Sequence, residues 1–366
     1  MHVIPELSFQ RRPQKPSDPI ACSGKHSWRN ISFMRLQQSF KKGAQRLHSK
    51  ADHLNQVLKY TILFALLTSA CLVGLGYISE AVFINVNALG RQCLDIEHSH
   101  SQDTNYKISA NIALVTCTDE GMKIPGRSFE GLINLVAPNK IKYAKRHGYT
   151  FIDASDIIDR SRPPSWSKIL AVRKHLPKFD WIFWNDVDSL VANAAIPLED
   201  IIESVVRNHP SGVPDLIITN DVTGVNAGMF FLHNTEWSMH FLDQWWNQTA
   251  FVRPFGQKKS GDNDALKYLL QSMPKEEFQR HVAVPQMQCA FNSYLWRPTL
   301  KSGLRFIKFP QVIWQGAYSK GDFMVHFAGL NNKKLWLQKL LTEFHEGGAT
   351  TKNIYRRGGL FLQNYL

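Results

Sequence analysis

The stretch FDWIFWNDVDSLV, residues 179–191, decides how the rest of this sequence is interpreted. Its apolar and aromatic residues lead directly into two aspartates one residue apart, Asp186 and Asp188. Two carboxylates this close cannot both be buried without partners, because burying charge is expensive. At the end of a strand they can converge on Mg²⁺ or Mn²⁺, which favour oxygen ligands and leave coordination positions for phosphate oxygens. Short Asp-x-Asp patterns also occur in solvated turns and helix caps, but the aromatic-rich strand before this pair favours a metal site.

The segments around this stretch alternate between strand and helix patterns. We predict, in chain order, a strand at 112–116, a helix within 130–149 that ends at Gly148, a strand at 150–155, a helix at 166–176 and a strand at 179–186. Such alternation predicts an α/β fold with a mainly parallel central sheet and helices on its faces. Ligands of these sheets bind beyond the carboxyl ends of the strands, where Asp186 and Asp188 lie.

An uncharged apolar run, YTILFALLTSACLVGLGYIS, occupies residues 60–79. Its length suffices for a helix to cross a bilayer. Lys59 and a basic segment precede the run and Glu80 follows it, so the positive-inside rule places the N-terminus in the cytosol. The run starts too far from Met1 for a cleaved signal peptide, and a buried core helix fits its charge asymmetry less well. We predict a single-pass, type II membrane protein.

The net charge of +13 is concentrated in the N-terminal segment. Residues 1–59 contain eleven Lys and Arg against three Asp and Glu, which contributes +8 of the total. This distribution fits a cytosolic flank of a membrane span. The chain carries no helix-turn-helix, zinc-finger or aromatic-plus-basic pattern, so we expect no nucleic-acid partner.

The five cysteines are too few for a disulfide scaffold. The predicted topology places Cys93, Cys117 and Cys289 in the lumen, and an odd number leaves at least one outside an intramolecular pair. It also places the glycosylation sequon at Asn247 in the lumen and the one at Asn30 in the cytosol.

Five sequence blocks, in order, resemble glycosyltransferase family 34, which includes fungal α-1,2-galactosyl- and α-1,6-mannosyltransferases and plant xyloglucan xylosyl- and galactomannan galactosyltransferases. They are YAKRHGYTFID (143–153), RPPSWSKILAVRKHLPKFDWIFWNDVDSLVAN (162–193), DVTGVNAGMFFLHNTEWSMHFLDQWW (221–246), DNDALKYLL (262–270) and GDFMVHFAGL (321–330). The resemblance covers about residues 108–335. It implies a GT-A-type nucleotide-sugar-binding fold, Golgi membrane localisation with a lumenal catalytic domain, and permits homo- or hetero-oligomers.

The expected organisation follows from the apolar run and the resemblance together. We expect a basic cytosolic tail at 1–59, a transmembrane helix at 60–79, a stem at 80–107, a glycosyltransferase catalytic domain at 108–345 and a C-terminal tail at 346–366.

The resemblance implies a metal site formed by Asp186, Asp188 and His326. In the family this triad holds Mn²⁺ on the diphosphate of the nucleotide sugar, and Mg²⁺ is the alternative ion. Imidazole is a competent ligand for first-row divalent metals. A lone His in the apolar strand FMVHFAG is more often a core residue, and its pairing with the two aspartates is what favours the metal role.

The resemblance also implies residues that contact the donor. Expected catalytic residues are Asp262 and Asn263, which would orient the sugar, and Lys168, which would stabilise leaving-group charge. Expected nucleotide-sugar contacts, besides Asp186, are Thr116, Cys117, Thr118, Tyr143, Asn226, Ala227 and Gly228. Simpler interpretations stay open for several of them: a helix cap at Asp262, a solvated lysine at 168, a core tyrosine at 143 and a tight turn at Gly228.

The sequence departs from the family pattern at three positions. Leu330 replaces a frequent cysteine, Asn263 replaces a glutamine, and Asn185 replaces an apolar residue before the first aspartate. None of these changes removes an expected metal ligand.

The implied reaction is α-retaining transfer of a sugar from a UDP- or GDP-sugar to a hydroxyl of a glycan or polysaccharide. Galactose is favoured, with mannose and xylose as alternatives. Two other hypotheses are a non-catalytic Golgi scaffold subunit and a nucleotide-sugar phosphatase.

Overall fold

The computed structural model describes residues 27–94, 110–120, 128–257, 259–297 and 299–345, with side chains from residue 33 to residue 344. The chain divides into two compact units, Met1–Thr68 and Ser69–Leu366. The described part does not include the first 26 residues, residues 95–109, which contain the second part of the expected stem, or the tail expected at 346–366.

Nine strands and ten α-helices are described. The strands are β1 Ile112–Thr116, β2 Thr150–Asp153, β3 Trp181–Asn185, β4 Ser189–Val191, β5 Leu216–Asp221, β6 Gly224–His233, β7 Val282–Ala283, β8 Ser293–Tyr294 and β9 Met324–His326. The helices are α1 Ser27–Phe83, α2 Leu132–His147, α3 Ser167–His175, α4 Leu198–Val206, α5 Glu236–Trp246, α6 Asp262–Ser272, α7 Lys275–His281, α8 Leu300–Lys308, α9 Pro310–Gly316 and α10 Lys333–His345.

The main sheet has six strands in the order β2-β1-β3-β6-β5-β7. Strand β1 is parallel to both β2 and β3, and β5 is parallel to β7. Strand β6 is antiparallel to both β3 and β5. Five strands therefore run in one direction and only β6 is reversed. The prediction of an α/β fold with a mainly parallel central sheet is confirmed.

Helices cover both faces of this sheet because its central strands are apolar on both sides. In β3, Trp181 and Phe183 enter the core that contains parts of α2 and α4. Ile182 and Trp184 enter the opposite core, formed with α3, α5 and α6. A strand buried on both faces has a continuous apolar sequence, and this is why the residues before Asp186 lack polar alternation.

A second, three-stranded sheet continues from the end of β3. Its order is β4-β9-β8, with β4 antiparallel and β8 parallel to β9. Ser189 is opposite His326 in the β4–β9 register. The chain leaves the main sheet at Asn185, passes Asp186 and Asp188, and enters β4 at once, so this register brings His326 beside both aspartates.

Helix α1 is long and apolar enough to cross a membrane, by length and composition. Little of its apolar stretch is buried, which a core helix would not show. A single N-terminal apolar helix of this kind fits a single-pass membrane anchor.

Residues 83–94, which lie in the segment expected as a stem, pack against other residues of the second unit. Phe83 is buried against Trp296, with ring centroids 5.3 Å apart. Arg91 is buried and makes a bidentate ion pair with Asp322, both contacts at 2.8 Å. A disulfide joins Cys93 to Cys289, and Cys117 is a free thiol. The stem expected at 80–107 stays a prediction.

Candidate functional site

The end of β3 and the start of β9 bring two carboxylates and an imidazole together. Donor atoms of Asp186, Asp188 and His326 all lie within 4.8 Å of one another. The Nε2 atom of His326 is 3.5 Å from Asp188 Oδ1 and 4.0 Å from Asp186 Oδ2. Asp188 and His326 are buried, whereas Asp186 is partly exposed. Two carboxylate oxygens and one imidazole nitrogen converge here, and the site is open to solvent on the side of Asp186. Such a set of atoms suits a divalent ion with free coordination positions.

Asn292 orients the ring of His326. The Nδ1 atom of His326 lies 2.9 Å from Asn292 Oδ1, and the Asn292 side-chain nitrogen lies 2.9 Å from Thr219 Oγ1. Nε2 is therefore the ring nitrogen that faces the aspartates. Metal-bound histidines are usually held by such an outer hydrogen bond.

Gly228 is required by the packing of this triad. A Cβ atom at this position would be 2.4 Å from His326 Cε1 and 3.1 Å from Asp186 Oδ2. Gly228 also accepts a hydrogen bond from the Asp186 amide at 2.8 Å. A side chain here would therefore displace two of the three candidate metal ligands.

Lys168 on α3 forms a buried bridge between two acidic residues. Its Nζ lies 3.1 Å from Asp262 Oδ2, 3.4 Å from Asp186 Oδ1 and 3.0 Å from the Ala227 carbonyl. Burial opposes the charged ammonium, but the Asp186 and Asp262 carboxylates outweigh it and raise the pKa of Lys168 above its ordinary value. Lys168 is thus a fixed cation at the site rather than a solvated helix lysine.

Asp262 is the first residue of α6 and is buried. The residue that caps the helix is Gly261, with φ of 98°, so Asp262 is free for tertiary contacts. Its carboxylate accepts hydrogen bonds from Ser165 at 3.1 Å and Ser260 at 2.5 Å. Despite burial, Lys168 and these hydroxyls lower its pKa. An ionised carboxylate is therefore held at this position.

Asn226, Ala227 and Gly228 lie inside β6, where Asn263 holds the backbone. Asn263 Oδ1 accepts from the Ala227 amide at 2.7 Å, and Asn226 Oδ1 accepts from the Gly228 amide at 2.9 Å. Asn226 also donates to Asp221 at 3.0 Å. These amide side chains fix the strand that supports the triad.

Two lysines that sequence reasoning missed complete the site. Lys333, the first residue of α10, is buried and forms an ion pair with Asp188 while donating to the Phe327 carbonyl at 2.8 Å. Burial disfavours the ionised carboxylate, but Lys333 and His326 hold the pKa of Asp188 well below its ordinary value. Lys140 donates to the Asp186 carbonyl at 3.1 Å, and burial lowers its pKa to about 7.

A cleft of about 250 Å³ opens beside the triad. Residues named above that line it are Cys117, Thr118, Ser165, Lys168, Asp186, Asp188, Ser260 and Lys333, with apolar walls from Phe129, Ile158 and Trp184. The Thr118 hydroxyl oxygen is buried and has no hydrogen-bond partner within the described ranges. An unpartnered hydroxyl in a cleft lined by two lysines suits a polar, anionic ligand.

The structure gathers most of the expected residues around the triad, but Tyr143 lies elsewhere. The Tyr143 ring is buried between Tyr149 and Phe323, and its hydroxyl donates to the Ile196 carbonyl at 2.8 Å. Thr116 is buried and is not part of the cleft lining, as is also true of Asn226, Ala227, Gly228, Asp262, Asn263 and His326. The open interpretation of Tyr143 as a core residue fits this placement better than a nucleotide contact.

A family model described as the galactosyl transferase GMA12/MNN10 family matches residues 109–214 and 204–335. These ranges include Asp186, Asp188 and His326. They also include Lys168 and Asp262, the second carboxylate that Lys168 contacts. The chain belongs to the galactosyl transferase GMA12/MNN10 family. The resemblance seen in the five sequence blocks is therefore confirmed.

Curated members of the GMA12/MNN10 family and related proteins match over part of their length. An alpha-1,2-galactosyltransferase of Schizosaccharomyces pombe is 26% identical, covering 56% of this chain and 58% of that protein. A probable alpha-1,6-mannosyltransferase of Saccharomyces cerevisiae is 27% identical, covering 37% and 42%. The chain thus spans about half the length of these relatives.

Solved structures that resemble this GMA12/MNN10 family chain include two glycosyltransferases. One is involved in glycosylation of the major capsid of PBCV-1, with a TM-score of 0.42, 13% identity and coverage of 63% of this chain and 99% of that one. The galactosyltransferase LgtC has a TM-score of 0.38, 14% identity and coverage of 67% and 99%.

Proposed function

We propose that this protein is a metal-dependent, retaining glycosyltransferase of GT-A type. It would transfer a sugar from a UDP- or GDP-sugar to a hydroxyl of a glycan or polysaccharide and form an α-linkage. The observation that carries the proposal is the Asp186–Asp188–His326 triad at the mouth of a cleft lined by buried lysines. Family membership supports the same activity.

The residues present fit a divalent ion. Three donor atoms converge, His326 directs Nε2 toward the aspartates, and Asp188 is held in its ionised form. Mn²⁺ suits this mixed set of oxygen and nitrogen ligands, and Mg²⁺ is the alternative. When bound, the ion supplies Lewis-acid stabilisation of charge on the departing diphosphate.

The chain's own residues would bind and orient the donor. Lys333 faces the cleft from beside Asp188 and would donate to a diphosphate oxygen, releasing the carboxylate to the ion. Lys168 would add a second fixed positive charge near Asp186. Cations that are already in place need no reorganisation as leaving-group charge develops, which lowers the barrier.

Asp262 would orient the sugar by accepting from one of its hydroxyls. Its carboxylate is held by Ser165, Ser260 and Lys168 on the side of α3, so its position is rigid. A buried ion pair with Lys168 leaves Asp262 a poor nucleophile. This supports attack guided by the leaving phosphate rather than a covalent intermediate on this residue.

The proposed location is the Golgi membrane, with the catalytic domain in the lumen. Helix α1 provides the candidate span, and the basic segment before residue 60 favours a cytosolic N-terminus. The Cys93–Cys289 disulfide supports an oxidising compartment for the domain, because such bonds are rare in the cytosol.

Donor identity is tested with the purified full chain in detergent, Mn²⁺ and each of UDP-galactose, UDP-xylose, UDP-glucose and GDP-mannose. Released nucleotide is measured with and without α-mannoside acceptors. We expect one donor, with UDP-galactose favoured, to give acceptor-stimulated release that is lost in Asp188→Asn. Arg173→Gln, which removes only an exposed ion pair to Asp243, is the matched control. Release without acceptor stimulation would instead support a phosphatase, and neither release nor nucleotide binding would support a scaffold.

A further inference from the structure

Helix α8 carries an apolar stripe that faces outward from the second unit. Leu300, Leu304 and Ile307 are spaced i, i+4 and i+7, so they share one helix face. They are 46%, 53% and 60% exposed. Single exposed apolar residues are common, but a contiguous exposed face on one helix indicates a surface that contacts something apolar.

The flank of α8 that adjoins the apolar stripe, on the side away from the basic residues, is fixed to the C-terminal part of α1. Gly303 lies so close that a Cβ atom there would be 3.0 Å from the Leu72 carbonyl oxygen. The Phe306 ring is 5.8 Å from Phe83 and 6.4 Å from Trp296. Trp296 in turn donates to Ser79 at 2.8 Å. The apolar stripe therefore has a defined position beside the Ser69–Phe83 segment of α1.

That position corresponds to the border of a bilayer. Leu72 lies within the apolar run 60–79, seven residues before its end at Ser79. Seven helical residues span about 10 Å. Amphipathic helices that lie in a membrane interface bury their apolar face about 5–10 Å into the boundary of headgroups and acyl chains. The contact with Leu72 thus places α8 at a depth typical of such helices.

The residues that flank the stripe suit the same environment. Lys301, Arg305 and Lys308 are also spaced i, i+4 and i+7 and form an exposed basic face next to the apolar one. Trp314, at 39%, and Phe309, at 37%, are exposed nearby. Basic residues contact lipid phosphates, and tryptophan is enriched at membrane interfaces.

We propose that α8 lies in the lumenal membrane interface, with Leu300, Leu304 and Ile307 among the acyl chains and the basic face at the headgroups. This second contact, which rests on the proposed membrane anchor, holds the catalytic domain against the bilayer. A second copy of the chain is the less suitable occupant. Three partly exposed side chains offer far less area than the roughly 800 Å² per partner of a stable interface.

The test uses the full chain with single fluorescent labels in phosphatidylcholine vesicles that contain phosphatidylserine. In a Cys22→Ser, Cys117→Ser background, an environment-sensitive dye is attached to native Cys71, which is exposed on α1. Three further variants carry Cys71→Ser together with Leu304→Cys, Ile307→Cys or Val213→Cys. Val213 is the matched control, since it is an apolar side chain of 44% exposure on the loop before β5. Emission is compared with and without lipids brominated in the acyl chain.

Bromolipid should quench the labels at 304 and 307 almost as strongly as the label at Cys71, with blue-shifted emission, and should leave the label at 213 unchanged. Unquenched labels at both 304 and 307 beside a quenched Cys71 overturn the proposal and leave the anchor intact. A blue shift without quenching at these positions also overturns it, because protein then covers the stripe. An unquenched Cys71 contradicts the anchor itself.

Discussion

The imidazole of His326 joins Asp188 to Asn292, with Nε2 3.5 Å from the carboxylate and Nδ1 2.9 Å from the amide oxygen. The three residues belong to different parts of the chain and meet because β9 pairs with β4 on one side and β8 on the other. A candidate metal ligand, its acidic neighbour and the group that orients it are thus brought together by the second sheet.

Replacing Asn292 should weaken metal binding without removing a ligand. Asn292→Ala deletes the side chain that orients the His326 ring, so we expect Mn²⁺ affinity to fall about 10- to 100-fold. Asn292→Asp keeps an acceptor and should retain most of the affinity. Calorimetric titration of Mn²⁺ into the full chain checks this. Equal losses in both variants would contradict an orienting role.

Gly228→Ala should disturb the same site by steric means. The added methyl group would meet His326 Cε1 at 2.4 Å, so the ring or the strand must shift. We expect a loss of Mn²⁺ affinity of at least about 10-fold, comparable to removal of an outer-shell partner. Gly43→Ala, where nothing lies within 4 Å, is the control for glycine replacement. Metal titration with unchanged affinity in Gly228→Ala would show that the site is more open than described.

Lys333→Gln should separate metal binding from nucleotide binding. Without the ammonium, Asp188 loses its buried partner, and breaking such a pair costs about 3–5 kcal/mol. Added Mn²⁺ should restore much of this stability, because it replaces the lost positive charge. Nucleotide affinity should still fall about 10- to 100-fold, since a charge-assisted hydrogen bond contributes about 1.5–3 kcal/mol.

The measurements for this variant are thermal unfolding with and without Mn²⁺, and UDP and GDP binding in its presence. Lys334→Gln is the matched control, because this neighbouring lysine is exposed. A variant with normal nucleotide affinity would contradict the role of Lys333 at the diphosphate.

Glycosylation reports the membrane topology. Asn247 is exposed at the end of α5 and belongs to an Asn-Gln-Thr sequon. If the domain is lumenal, expression in yeast cells should give a chain that loses mass on treatment with a deglycosidase, and Asn247→Gln should abolish that shift. Asn30→Gln should leave it unchanged, because its sequon precedes the span. The reverse pattern would invert the topology.

The main elements of the sheet could be predicted because local patterns determine them. An uninterrupted apolar stretch before Asp186 indicates a strand covered on both faces, and the alternation of strands and helices indicates its parallel neighbours. The direction of β6 could not be predicted in this way. A strand buried on both faces has the same pattern in either direction, and only its pairing with β3 and β5 shows that it is reversed.

Residues of the candidate site could be predicted from the sequence alone only where a local sequence pattern marks them. Asp186 and Asp188 follow a strand, so their position could be inferred from sequence, whereas His326 entered through the family resemblance. Lys333 and Asn292 were missed because their contacts join residues 145 and 34 positions apart.

The central claim is that Asp186, Asp188 and His326 hold one divalent ion. The most direct measurement is electron–nuclear double resonance on the full chain with one equivalent of Mn²⁺. We predict a single bound ion with nitrogen coupling from one imidazole, which disappears in His326→Ala but persists in the exposed-residue variant His240→Ala. Mn²⁺ that binds without nitrogen coupling, or that keeps its coupling in His326→Ala, would contradict the account.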